Sequence, residues 1–219
     1  DGELAMAGTN DGLLLVWRLA QQAISDRITA RTADLAMTAD GKLAVMVAPR
    51  QPMTVWNPRE ARCLMGGETF GDKSMSTIVT LTDDGRHALT GGLDGQLRLW
   101  DLKKGRCLRE LGGPGPRLTA IALVAGGLFA LASSVDGQVR IYSVHGGGSL
   151  AQLEGHAGAV RALAATPDGR FVVTAGEDRS LRLWEIDWEL DPEGAFVALG
   201  QAPQGKFMQR LTAIFRKRT

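Results

Sequence analysis

The chain is short of the residues from which most chemical sites are made. Two cysteines, Cys63 and Cys107, are too few for a disulfide framework, and their separation is not that of a metal site. Of the three histidines, His87 and His145 lie near turns with no cysteine or acidic partners at ligand spacing, and His156 reads as a structural residue rather than a ligand, so no metal is expected. Charge of one sign is also missing. Twenty-five basic residues face 24 acidic ones, which leaves no global field toward nucleic acid or an anionic surface. No apolar run approaches the ~18 residues of a membrane span. The N-terminus has neither the basic start nor the apolar stretch of a secretory signal. Together with the scarce cysteine, this favours a reducing compartment and makes the cytoplasm the expected location. The glycine clusters GGPGP (112–116) and HGGGS (145–149) match neither a P-loop nor a dinucleotide fingerprint, because no Lys-Ser/Thr follows and no helix opens after them. They read as turns, and no cofactor is expected. The chain starts at Asp1, in mid-pattern and without a methionine, and reads as an excised domain or processed piece of something longer.

What is present is glycine and repetition. The 28 glycines are spread along the whole sequence, which fits tight turns between short strands. Five segments align: DGLLLVW (11–17), RQPMTVW (50–56), DGQLRLW (94–100), DGQVRIY (136–142) and DRSLRLW (178–184). In each, apolar residues alternate with a variable one before the closing aromatic, as Leu97, Arg98, Leu99 and Trp100 show. That period of two predicts a strand. A short apolar run lies upstream of each, and most are preceded by a DG or GG turn pair. Opening strands are predicted at 32–38, 76–82, 117–124 and 159–165. Closing strands are predicted at Arg62–Met65, Arg106–Leu111 and Ser149–Leu153. Each unit is then a four-stranded antiparallel meander. One such sheet is marginal alone and gains a core by stacking on its neighbours.

The third unit ends LRLWD, and the fifth reads GHAGAVRALAATPDGRFVVTAGEDRSLRLWE from Gly155 to Glu185. With repeats of ~40 to 45 residues, this resembles the WD-repeat family. The resemblance spans residues 3 to 185 and implies an all-β propeller of four-stranded blades. The propeller has five blades if the two termini complete one blade together. The alternative is an open fragment of a larger ring. On this reading 1–219 is one domain with repeat units near 1–25, 26–66, 67–112, 113–154 and 155–199. The resemblance also implies a network of His, Ser/Thr, Asp and Trp inside each blade. Its positions here are His156, Thr174, Asp178 and Trp184, with Thr90, Asp94 and Trp100 in unit three, which lacks the His. Unit four has Asp136 but Ala132 and Tyr142, and unit two has Arg50 in place of the Asp.

The function implied by the resemblance is partner binding, as a scaffold or a sensor module within a larger protein, with no catalysis of its own. Asp11, Asp94, Asp136 and Asp178 could be taken for a ring of catalytic carboxylates, yet each recurs in a tight turn, where a turn-stabilising role accounts for it. Cys63 and Cys107 each fall seven residues after a tryptophan, which reads as a repeated packing position. The residues just before the turn Asp, namely Asn10, Pro49, Leu93, Val135 and Glu177, are expected to share a rim with Arg50 and Arg179 and to meet a protein or peptide. No small-molecule substrate is expected. The alternatives are a hydrolase or lyase with a central-channel site, and nucleic-acid or membrane-surface binding through the basic tail. That tail, 206–219, carries RLTAIF, which repeats RLTAIA at 117–122. It is expected to be the first strand of blade one, with Ala195–Leu199 as outer strand of the last blade. The other reading is an amphipathic helix.

Overall fold

The computed structural model describes residues 2–9, 11–66, 75–113, 115–186 and 211–213. Five antiparallel sheets follow one another along the chain. Blade one has three strands, β1 (Leu4–Gly8), β2 (Leu13–Arg18) and β3 (Ala23–Thr29). Blade two is β4 (Asp34–Met37), β5 (Ala44–Val47), β6 (Thr54–Asn57) and β7 (Arg62–Met65). Blade three is β8 (Ser76–Leu81), β9 (His87–Gly92), β10 (Leu97–Asp101) and β11 (Arg106–Leu111). Blade four is β12 (Leu118–Val124), β13 (Phe129–Ser134), β14 (Val139–Ser143) and β15 (Ser149–Leu153). Blade five is β16 (Val160–Ala165), β17 (Phe171–Gly176), β18 (Leu181–Ile186) and β19 (Leu211–Ala213). The only helical pieces among the described residues are two three-residue 3₁₀ turns, Leu19–Gln21 and Ala125–Gly127. The opening, turn-flanking and closing strands thus lie where the alternation placed them. The backbone groups into two compact units, Asp1–Arg117 and Leu118–Thr219.

Alternation gives each blade two faces. One carries the closing aromatic and the small residue opposite it, as Ala88 pairs Trp100 and Val172 pairs Trp184. We call it the tryptophan face. The other carries aliphatic pairs, as Val45 with Val55 and Leu131 with Ile141. In unit one, Val45, Val47 and Val55 of blade two form one core with Val79, Ala88 and Trp100 of blade three. In unit two, Leu131, Val139 and Ile141 of blade four pack with Val172 and Trp184 of blade five. The rule is the same in both: an aliphatic face lies on the next blade's tryptophan face, and side chains of period two become core on both sides.

The meander also fixes where the connections fall. Strand one starts, strand two turns into strand three, and strand four ends at a single end of each sheet, here the upper rim. At the lower rim, turns of the form Thr-x-Asp-Gly join strands one and two. Thr38 Oγ1 donates to Asp40 at 2.7 Å and Thr82 Oγ1 to Asp84 at 2.6 Å, and Thr166 makes the same bond to Asp168. The carboxylates then accept the N–H of Lys42, Arg86 and Arg170. These bonds hold the Asp40 carboxyl down at about 2, with the Thr38 hydroxyl the main cause.

The tail departs from expectation. Leu211–Ala213 pairs antiparallel with β18, Trp184 opposite Ala213 and Ile186 opposite Leu211, so it is the outer strand of blade five rather than the first strand of blade one. The free edge of β18 supplies unpaired backbone groups that a fourth strand satisfies. Blade one keeps three strands, and the candidate outer strand Ala195–Leu199 lies outside the described residues.

Candidate partner rim and the buried network beneath it

On the upper rim of unit one, the turn after β9 exposes Leu93. Its backbone is tied down: Leu93 N donates to Met75 O at 3.0 Å, and Gly115 N donates to Asp94 O at 3.1 Å. Gly95 has φ +71, and a Cβ there would lie 2.3 Å from the Gly115 carbonyl oxygen. Only glycine fits that approach. The turn after β5 exposes Pro49 and Arg50. Here Gln51 N bonds Ala48 O at 3.2 Å and Arg50 itself takes the positive φ, +60. Pro first and a positive φ second is the type II arrangement. On the upper rim of unit two, Val135 is exposed after β13 and Glu177 and Arg179 after β17. Glu177 is paired with Arg161, and Arg179 holds φ +61 where other blades have glycine. Asn10 lies outside the described residues.

Below the rim of blade five runs a chain of side-chain bonds. Trp184 Nε1 donates to Thr174 Oγ1 at 3.0 Å. Thr174 Oγ1 is 2.8 Å from His156 Nε2, and His156 Nδ1 is 3.0 Å from Asp178 Oδ2. The donors and acceptors are consistent when the imidazole proton sits on Nδ1: tryptophan donates to threonine, threonine to histidine, histidine to aspartate. Asp178 also accepts from Ser180 Oγ at 2.7 Å, Ala157 N at 3.0 Å and Ser180 N at 3.0 Å. The Ser180 hydroxyl contributes most to holding this carboxyl well below the ordinary range, with Ala157 N–H and His156 adding to it against the effect of burial.

The other blades carry shorter versions. In blade three, Thr90 Oγ1 accepts from Trp100 Nε1 at 2.9 Å and from Ser76 Oγ at 3.2 Å, so a serine on β8 stands where blade five uses histidine. Asp94 turns to Arg98 instead, at 2.7 Å. In blade four, Ala132 faces Arg140 across the strand pair, and Asp136 pairs with Arg140 at 2.6 Å. Burial pushes the Asp136 carboxyl up, but Arg140, Ser134 and Gln138 N–H together bring it below its ordinary value. In blade two, Met46 occupies the threonine position, and Trp56 Nε1 bonds Thr54 Oγ1 at 2.9 Å on its own strand.

Arg98, Arg140 and Arg182 form a set that the repeat pattern alone does not single out. Each lies four residues after a turn aspartate and pairs with it, Arg182 more loosely at 3.9 Å from Asp178. The signal is visible in the segments DGQLRLW, DGQVRIY and DRSLRLW, where the residue taken as variable is arginine each time. In unit one a second unforeseen contact joins two blades: Asp34 of β4 accepts the Val79 N–H of β8 at 2.9 Å. Burial raises the Asp34 carboxyl, opposed by the N–H groups of Val79 and Leu35.

The cysteines do share a place, Cys63 opposite Trp56 and Cys107 opposite Trp100, each where the register shifts. Both are exposed, so the repeated position is an outer edge and not a packed one. Burial raises the Cys63 thiol, the opposite of what a nucleophile needs. Among the described residues no group of three or more His, Cys, Asp or Glu could hold a metal ion, and no helix is long and apolar enough to cross a membrane.

Comparison with known proteins agrees with this geometry. The family described as "WD domain, G-beta repeat" matches residues 69–101, 105–143 and 147–185, about half of the chain. Autophagy-related protein 16 of Arabidopsis thaliana is 28% identical over 126 residues, covering 56% of this chain and 24% of that protein. The Periodic tryptophan protein 2 homolog of Caenorhabditis elegans is 36% identical over 111 residues, 47% of this chain and 11% of that protein. Transducin-like enhancer protein 2 of Mus musculus is 28% identical over 117 residues, 50% and 15%. The chain thus spans about a quarter or less of the length of these relatives.

Proposed function

The chain belongs to the WD-repeat family, and from that premise we propose that it is a protein- or peptide-binding module with no catalysis of its own, working within a larger protein. The observation that supports this reading best is the group of exposed cations and apolar residues held on rigid turns of the upper rim. On the lower rim of unit one, four cations meet a carboxylate beside them, Lys42 with Asp40, Arg86 with Asp84, Arg62 with Glu60 and Lys104 with Asp101, while the exposed Arg18, Lys103 and Arg106 form no ion pair with any of the described residues. On the upper rim of unit one, Arg31, Arg50 and Arg117 are exposed and form no ion pair with any of the described residues. They stand with the exposed Pro49 and Leu93, on turns clamped by backbone bonds. Binding residues on a rigid scaffold lose little entropy when they engage a partner. In unit two, Val135, Glu177 and Arg179 offer a similar mixture. The complementary ligand is an extended acidic segment with an apolar anchor.

The test uses the intact chain as bait and measures the affinity of whatever partner it retains. Arg50→Glu and Leu93→Asp should each weaken that affinity by about tenfold or more with little change in melting temperature. Arg179→Glu should act similarly in unit two. Unchanged affinity for every rim variant would move the site to the lower rim or the outer edge.

A further inference from the structure

Blade two reverses the charge plan that blades three, four and five share at their upper ends. Six residues before the closing aromatic those three blades carry an aspartate, and two residues before it an arginine. The two pair within each blade, Asp94 with Arg98 at 2.7 Å, Asp136 with Arg140 at 2.6 Å and Asp178 with Arg182 at 3.9 Å. In blade two the same positions hold Arg50 and Thr54. A guanidinium thus stands where the others have a carboxylate, and Thr54 accepts the Trp56 indole N–H instead of bringing a charge.

The strand register brings a second guanidinium to the same corner. Ala33 N donates to Val47 O at 2.8 Å, so the antiparallel strands run on to set Arg31 opposite Pro49, next to Arg50. Blade three repeats the pairing, with Leu93 N bonded to Met75 O. Both arginines are exposed, and the backbone of each is fixed. Just before Arg31, Ala30 N donates to Gly12 O at 2.9 Å, and the Arg31 stem lies beside Gly12, where a Cβ would be 3.7 Å from Arg31 Cγ. Arg50 holds φ +60 after Pro49, a conformation that glycine takes at less cost. The carboxylate of the adjoining blade-one turn, Asp11, accepts from the Thr9 hydroxyl and forms no ion pair with any of the described residues. Like charges set side by side across a strand pair repel. One corner therefore carries both repulsion and backbone strain, and a bound anion relieves the repulsion while using the placement that the strained turn secures.

We propose that Arg31 and Arg50 together bind a phosphoryl group on a side chain of the peptide partner. The inference rests on the peptide-binding reading of this rim and adds the group that the rim selects. A carboxylate cancels one of the two charges. A phosphomonoester carries about −1.5 to −2 at neutral pH and offers three acceptor oxygens, enough for a fork from each guanidinium. The exposed Pro49, opposite Arg31, gives the residues flanking that group an apolar contact.

The experiment measures, by fluorescence anisotropy, the affinity of the full chain for three labelled pools of acidic peptides, alike except that one fixed position holds phosphoserine, serine or glutamate. The phosphoserine pool should bind about tenfold or more tightly than either of the others. Arg50→Gly suits the turn, so this variant should melt no lower than the unsubstituted chain and yet lose the preference. Arg31→Gln should lose it as well. Equal binding of the phosphoserine and glutamate pools, both weakened by Arg50→Gly, overturns the phosphoryl inference and leaves the peptide-binding reading standing. A preference that survives both substitutions overturns it by moving the phosphoryl group elsewhere. Failure of all three pools to bind overturns it too, the bait measurement remaining the separate test of partner binding.

Discussion

A single oxygen, Thr174 Oγ1, joins the indole of Trp184 to the imidazole of His156, and it is fully buried. Replacing it by the isosteric valine removes one acceptor for the indole N–H and one donor for the imidazole. Thr174→Val should therefore cost about 1 to 3 kcal/mol in chemical denaturation, the penalty for buried polar groups left unpaired. Asp178→Ala should lower the melting temperature more than Asp136→Ala, because Asp178 anchors that chain as well as its turn. Equal losses at the two sites would reduce both aspartates to local turn residues. Arg179 bears on the backbone. It holds φ +61 where Gly12, Gly95 and Gly137 stand in other blades, a conformation costly to a side chain. Arg179→Gly should be neutral or stabilising by up to about 1 kcal/mol, read from the same denaturation curves. A clear destabilisation would mean that the Arg179 side chain contributes contacts of its own. At this scale the sequence is legible where a residue type has one use. His156, Thr174, Asp178 and Trp184 fall together as the family resemblance implies. Ser76 and the arginines at 98, 140 and 182 do not announce themselves, because serine and arginine have many uses and their partners are set by cross-strand register.

The strand and the turn are the most readable elements. An alternating pattern assigns faces, and Asp-Gly pairs end strands for reasons local to the backbone, so β4 to β18 sit close to their predicted ranges. The tail is not readable in the same way. The likeness of RLTAIF to an opening strand says which residues alternate, whereas the edge that a terminal strand joins depends on which edge is unpaired nearby. The lower turns yield an expectation in acid. Asp40 falls to about 2, and Asp84 and Asp168 are also lowered, as is Asp178 in the upper turn after β17, each chiefly by a hydroxyl. A carboxyl whose value in the folded state lies below its unfolded value stabilises the fold above the unfolded value. That contribution is lost as pH falls through the folded one. Melting temperature should thus be flat near neutrality and drop below about pH 4. Thr38→Val should bring the Asp40 carboxyl back toward its ordinary value in a carboxyl-carbon NMR titration. An unchanged midpoint would detach the turn geometry from the shift.

At the scale of the whole molecule, blades of one plan are unequally equipped. Blade five has the full side-chain chain, blade three a two-bond version, blade two a local one, and blade one lacks the threonine and has three strands among the described residues. Repeats of this kind are stabilised by their own interactions and by those with adjacent repeats. Amide exchange should accordingly be fastest in β1 to β3 and slowest in β9, β13 and β17. Uniform protection across the five sheets would show that the networks carry no differential stability. The placing of the start and end of each complete blade at one end of its sheet has a mechanical consequence. A chain pulled by its two ends loads the edge strands of a sheet from the same side, so its inter-strand hydrogen bonds break in succession, as in a zip, instead of resisting together in shear. Blades should yield at low force and singly. Each would release a repeat spanning 39 to 44 residues between successive aromatics, roughly 130 to 150 Å of contour at ~3.4 Å per residue. Such a molecule would lengthen in steps under tension while the blades still folded keep their grip on a partner.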